Sequence, residues 1–327
     1  MPGFCKIYGP RIPNIRNDSF HSLLKNYSPS AIEFMKKQNK AYIFALIAVL
    51  LWSTVASAFK ITLSYLNFLQ LLFFSALIST ATLFSLLVLQ KKLYLFQTFS
   101  AKDYAHSMML GFMNPYLYYM ALFGAYSLLP AQEAQAINYF WPIMITFFSI
   151  PLLRQKLRVQ DLIAIATSFI GVLIISTRGN IFGITFSNER GVLLALATTI
   201  IWALFWLFNL RDPRDDLAKL FLNFAFGLVF IVPTAFIFSE IKIPHSTALI
   251  GVIYIGSFEM SVTFFVWLQA LKFSNKTSQV SNLIYLTPFI SLVIIHFGVG
   301  EKILISTFVG LVFILAGIGI QHFKINY

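Results

Sequence analysis

The sequence predicts an all-α integral membrane protein of ten transmembrane helices, arranged as two inverted five-helix repeats with both termini cytoplasmic. Three observations lead there. Hydrophobic residues make up 58% of the chain and charged residues only 11%, against about 45–50% and 25% in soluble domains. The apolar residues fall into ten runs, each close to the roughly 20 residues that cross the hydrocarbon layer. The basic residues are shared unequally between alternate gaps. The same composition excludes a disordered chain, and a single cysteine, Cys5, excludes a disulfide scaffold.

In chain order the expected spans are Tyr42–Phe59, Phe68–Leu89, Tyr104–Ala125, Glu133–Leu152, Leu162–Thr177, Gly191–Leu210, Ala218–Phe238, Ala248–Leu271, Thr277–Phe297 and Ile303–Gln321. Asn67 breaks the uncharged stretch Ile61–Gln90 into two helices. Residues 1–40 hold no apolar core of signal-peptide length. They form a basic arm carrying Lys6, Arg11, Arg16, Lys25, Lys36, Lys37 and Lys40. Its segment Ser19–Lys37 is either a disordered tail that fixes orientation or a helix lying on anionic lipid.

Orientation follows from the basic residues. With the N-terminus inside, the outer segments hold five of the 24 Lys and Arg residues: Lys60, Arg178, Arg190, Lys242 and Lys302. The other 19 fall in the arm and the inner segments, which satisfies the positive-inside rule. The net charge of +12 is therefore a topogenic signal and not the footprint of a nucleic-acid partner.

Sliding the chain by 146 residues places Phe112 on Phe258, Tyr139 on Tyr285, Pro142 on Pro288 and Gly171 on Gly317. Trp52 and Trp202 hold similar places in the first and sixth spans. The domains expected are the arm (1–40) and two repeats (41–178 and 190–327). Five helices per repeat reverse the second copy, which is the architecture of carriers with a midplane site between the halves. Pro142 and Pro288 each remove a helix hydrogen bond and are expected to kink their spans.

The densest polar and aromatic cluster in any span is Glu133-Ala-Gln-Ala-Ile-Asn138-Tyr139-Phe140-Trp141-Pro142. With Leu51-Trp52-Ser53-Thr54, Tyr285-Leu286-Thr287-Pro288 and Gly300-Glu301, it resembles the YddG-type aromatic amino-acid exporters. Those belong to the drug/metabolite transporter superfamily with EamA domains. The resemblance covers the chain from about residue 41 onward. Gln155 stands at the first-half position equivalent to Glu301, and Glu259 is an acid where such exporters carry a neutral residue.

The resemblance implies a secondary transporter, not an enzyme, exporting aromatic or hydrophobic amino acids across a bacterial inner membrane. Its partners are then a small-molecule substrate and the bilayer, with no obligate protein partner. A carrier for a larger or cationic metabolite (S-adenosylmethionine, a nucleotide sugar, a drug) is the second reading, and an integral-membrane enzyme a remote third. No metal or nucleotide motif is present, and neither cofactor nor metal is expected.

Chemically, Asn138 and Tyr139 offer hydrogen bonds to a zwitterion. Trp141, Trp52, Trp202, Trp206 and Tyr285 offer aromatic faces. Ser53, Thr287, Pro142 and Pro288 complete the expected substrate-binding set. Glu259, near mid-span, must face the interior and is a candidate proton or cation site. Glu133 is either an outer gate or a solvated acid at a helix N-terminus. Trp267, near a span end, is expected in the interfacial aromatic belt, as are His106 and His296 at the membrane interface.

Overall fold

A computed structural model describes residues 29–153, 159–180, 187–273 and 282–322. Among them every regular element is helical and none is a strand. Helix α1 spans Pro29–Leu63, α2 Phe68–Leu89, α3 Ala101–Gly111, α4 Tyr118–Leu128, α5 Ala131–Asn138, α6 Trp141–Leu153 and α7 Val159–Ser176. The second half follows with α8 Glu189–Arg211, α9 Asp216–Phe238, α10 Ser246–Tyr254, α11 Thr263–Phe273, α12 Thr287–Val299 and α13 Ile305–His322. Among the described residues five stretches are long and apolar enough to cross a membrane uninterrupted: Lys37–Leu63, Phe68–Leu89, Glu189–Asn209, Asp216–Phe238 and Ser246–Ala270. Most of the expected arm, with the segment around Ser19, lies outside the described residues, as do Arg154, Gln155, Lys156 and Arg158. Residues 29–40 continue α1 as helix.

Local chemistry fixes the helix starts. The Asn67 side chain accepts from the N–H groups of Leu69 and Gln70 at 3.0 and 2.9 Å, and Gln70 accepts from the Asn67 N–H at 3.0 Å. This capping box is why the long uncharged stretch divides there. Ser100 with Asp103 repeats the device for α3, while Asn188 and Asp215 cap α8 and α9. Gly300 ends α12 with φ +78°, a left-handed turn that favours glycine.

Two connections between helices are π turns, at Phe112–Leu117 (between α3 and α4) and Ile255–Val262 (between α10 and α11). The first contains Pro115, which cannot donate to the ladder. The two prolines expected to kink their spans do something different. Pro142 is the second residue of α6 and Pro288 the second residue of α12, so each stands in a first helical turn. There the missing N–H costs nothing. The breaks lie just before them. Ile143 and Met144 both donate to the Phe140 carbonyl, at 3.1 and 3.4 Å, so the ladder restarts after Tyr139. A short 3₁₀ segment, Asn282–Leu286, leads into α12.

Packing crosses between the halves reciprocally. Helix α1 lies against α11 and α12, whereas α8 lies against α4 and α6. Helix α2 meets the second π turn, and α9 meets the first. Helices α7 and α13 form the most extensive pair. Outward faces carry large apolar side chains such as Leu50, Phe84, Phe236, Phe297 and Ile305. So much exposed apolar surface fits a lipid surround and not water.

Candidate functional site

The two bundles enclose a cavity of about 80 Å³, room for a few water-sized groups by the roughly 10–15 Å³ that one water centre occupies. Its polar and aromatic lining is Trp52 and Phe59 from α1, Tyr118 and Tyr126 from α4, Gln135 and Asn138 from α5, Tyr139 and Trp141 at the break, Trp202 from α8 and Glu259 from the second π turn. The α5–α6 break places Tyr139 and Trp141 on the cavity wall. Among the described lining residues none is Lys or Arg.

The aromatic wall is continuous. Trp202 lies 4.5 Å from the Tyr118 ring, tilted by 31°. Phe264 links both halves, meeting Trp202 edge-on at 5.4 Å and Trp52 at 6.5 Å. Such a cluster of rings beside the cavity suits an aromatic body or an ammonium. Asn138 donates to the Thr198 hydroxyl at 2.7 Å, which fixes its amide, and its side chain also meets the Tyr118 hydroxyl.

Glu259 is buried at the middle of the second π turn. The Tyr119 hydroxyl donates to one carboxyl oxygen at 3.3 Å. The other oxygen accepts no hydrogen bond of ordinary geometry among the described residues, and the Trp52 indole also faces the carboxylate. An ionised acid at the bilayer centre costs roughly 2.5–3.5 kcal/mol on insertion scales, so a second partner for that oxygen would stabilise it.

A second polar cluster closes the end of the molecule that carries Lys60. Lys60 donates to the carbonyls of Tyr126 and Leu129 at 2.9 and 2.7 Å. Glu301, from the second half, accepts from the N–H groups of Ala131 and Gln132 at the start of α5, at 2.9 and 3.4 Å. Gln132 donates to the Lys302 carbonyl at 2.7 Å. Glu133 is fully buried, paired with Arg178 at 2.8 Å and accepting from the Ser187 hydroxyl. The reading of Glu133 as a solvated acid is therefore corrected: Arg178 and Ser187 replace water around it.

Of the expected binding residues, Trp52, Asn138, Tyr139, Trp141 and Trp202 line the cavity together with Glu259. Ser53 instead bonds the Val49 and Thr287 carbonyls at 2.6 and 3.4 Å, tying α1 to α12. Trp206 stacks on Phe264 at 6.2 Å. Thr287 and Pro288 are buried but do not line the cavity. The side chains of Pro142 and Tyr285 lie outside the described residues. Trp267 is buried against Trp52 at 5.5 Å and is not a belt residue, because α1 covers the face of α11 that carries it. Tyr118, Tyr126, Gln135 and Tyr119 escaped notice in the sequence. The apolar neighbours of Tyr118, Tyr119 and Tyr126 gave no polar signal, and Gln135 was passed over beside Asn138.

An all-helical chain with a lipid-facing surface and a buried aromatic cavity between its halves has the form of an integral membrane transporter. The comparisons agree. The profile of the EamA-like transporter family matches residues 39–177 and 189–321, and the chain belongs to that family. It is 28% identical over 200 residues to the uncharacterized transporter YvbV of Bacillus subtilis (strain 168), covering 60% of this chain and 64% of YvbV. It is 24% identical over 152 residues to the aromatic amino acid exporter YddG of Ancylobacter novellus, covering 46% of this chain and 53% of that protein. The chain thus spans between about half and two-thirds of the length of these relatives. A solved crystal structure of a protein shares the fold with a TM-score of 0.61 and 20% identity, covering 86% of this chain and 95% of that one. Family and relatives are transporters and not enzymes by name.

Proposed function

We propose that the protein is a ten-span carrier of aromatic or hydrophobic amino acids, working by alternating access in a bacterial inner membrane, in the export direction. Residues 41–178 and 190–327 are its inverted halves, and residues 1–40 a basic arm on the cytoplasmic side with both termini. The observation that carries this reading is the cavity itself: Trp52, Asn138 and Trp141 come from one half, Trp202 and Glu259 from the other. A site built from both halves opens to alternate sides as they rock.

The helix ends support the topology. Asn67 and Gln70 bond Ser239 and the Glu240 carbonyl at 2.7 and 2.6 Å, at the end that Lys60, Arg178 and Lys302 share. Lys92 pairs with Asp215 at 2.7 Å, and Arg214 reaches Ser107 at 2.9 Å, at the opposite end, richer in basic residues. The Lys60 end is then outside, and the Glu301 contact with α5 holds the halves together there.

In this carrier Trp52, Trp141 and Trp202 hold the substrate's ring or alkyl body, while Asn138 and Tyr139 bond its polar end. Counterflow of labelled phenylalanine into proteoliposomes tests the reading. Uptake that tryptophan, tyrosine and unlabelled phenylalanine all compete for is the expected result. Absence of competition by any of the three would remove aromatic amino acids as substrates.

A further inference from the structure

We infer that Glu259 is the cation subsite of the cavity, and that the substrate is an organic ammonium with an apolar body, never a net anion. This rests on the carrier reading for its setting and narrows the substrate class. Four observations converge. Glu259 lines the cavity and is buried. One of its carboxyl oxygens accepts no hydrogen bond of ordinary geometry among the described residues, while Tyr119 holds the other and the Trp52 indole also faces the carboxylate. Trp52, Tyr118, Trp141 and Trp202 surround the same space, and aromatic faces beside a carboxylate are the chemistry that binds ammonium groups. No lysine or arginine among the described lining residues offers a phosphate or carboxylate a counter-charge.

The mid-span location sharpens the point. A charge at that depth is tolerated when paired, and the cation a substrate brings is a partner the described protein atoms leave room for. Glu259 also sits on a π turn, a local widening of the helix that recurs at functional sites. An amino-acid zwitterion satisfies the subsite through its ammonium, with the Gln135 amide left to donate to its carboxylate. A simple amine satisfies it without that second need. Nucleotide sugars, being anionic, do not.

The test uses the full-length purified protein and its tryptophan fluorescence, since Trp52 and Trp202 line the cavity. Three probes of one skeleton differ in charge: 2-phenylethylamine, phenylalanine and 3-phenylpropanoate. The first two should bind, and the third at least about tenfold more weakly, the scale of a desolvated cation–π and charge pair. Glu259→Gln should weaken both ammonium probes about tenfold and erase the ranking, while Glu259→Asp keeps the order. Equal binding of amine and carboxylate to the native protein would overturn the inference, and so would unchanged amine binding to Glu259→Gln. If that variant does not fold, the ranking in the native protein and in Glu259→Asp still decides. Phenylalanine counterflow undiminished in Glu259→Gln would sink the inference and spare the carrier. Ammonium binding through Glu259 without any counterflow would do the reverse.

Discussion

Ser168 donates a hydrogen bond to the carbonyl of Ile314 at 3.2 Å, and these two residues are 146 positions apart, the offset that aligns the two halves of the sequence. The contact therefore joins equivalent positions of the two sequence repeats. The neighbouring contacts come in matching pairs. A Cβ added at Gly171 would meet the Gly310 carbonyl at 2.4 Å, and one added at Gly317 would meet the Ala164 carbonyl at 2.6 Å. Shifting the first pair by the offset in opposite senses generates the second. Helices α7 and α13, Val159–Ser176 and Ile305–His322, are themselves separated by that offset at both ends.

Close backbone approach between α7 and α13 makes the glycines there intolerant. Gly171→Ala and Gly317→Ala should each destabilise the detergent-solubilised protein by about 1–3 kcal/mol, the usual cost of overpacking. Gly319→Ala, with nothing within 4 Å of the new atom, should be neutral or stabilising. Thermal unfolding of the three variants checks the contrast.

The Glu301 cap joins the second half to the first turn of α5. Glu301→Ala removes an acceptor from two helix N–H groups and should cost about 1–2 kcal/mol. Glu301→Gln keeps one oxygen and should cost less. The thermal midpoints of the two variants, compared with that of the native chain, measure the difference.

Trp202 and Trp206 differ in place, not in chemistry. Trp202 faces the cavity, whereas Trp206 lies against Phe264 behind it. Trp202→Ala should weaken substrate binding about tenfold, in line with losing an aromatic face of 0.5–1.5 kcal/mol or more. Trp206→Ala should affect binding less and stability more. Substrate titrations paired with melting curves separate these outcomes.

The loop after α8 supplies a pH dependence. Burial of Asp212 works to raise its pKa, but Arg214, which donates to both carboxyl oxygens from Nε at 2.9 and 3.0 Å and adds its charge, holds it below the ordinary value. A carboxyl whose folded pKa is depressed gives stability above its unfolded pKa, and that stability is lost as pH falls through the folded one. The protein should therefore lose stability on acidification below about pH 4, the ordinary carboxylate range. Asp212→Asn should be less stable at neutral pH and lose less on acidification. Melting temperature against pH, for both proteins, reads this directly.

Much of this was legible in the residues, because lipid is a simple solvent that forces long apolar helices with capped ends. Phe68–Leu89 begins and ends where its apolar run does, and Asn67 and Gln70 spell out its start. The fourth-span cluster announced the cavity through Asn138, Tyr139 and Trp141, polar and aromatic groups costly to place against lipid. The π turns were not legible: Ile255–Val262 contains no proline, its Gly256-Ser257 pair alone does not separate a π turn from an ordinary helix, and Gly256 packs against the Ser75 carbonyl of the neighbour α2. Pro142 and Pro288 misled because a proline in the first turn and one in mid-helix look alike without the break before them. Trp267 misled for a related reason, since its burial comes from α1, more than 200 residues away in sequence.

The most direct test places a single reporter in the shared cavity. Asn138→Cys in a Cys5→Ser background, in sealed membranes, is treated with a membrane-impermeant thiol reagent from each side in turn. Labelling from both faces, slowed from both by phenylalanine, is the expected result. Labelling confined to one face under every gradient, or indifferent to substrate, would contradict a cavity that opens alternately between the two halves.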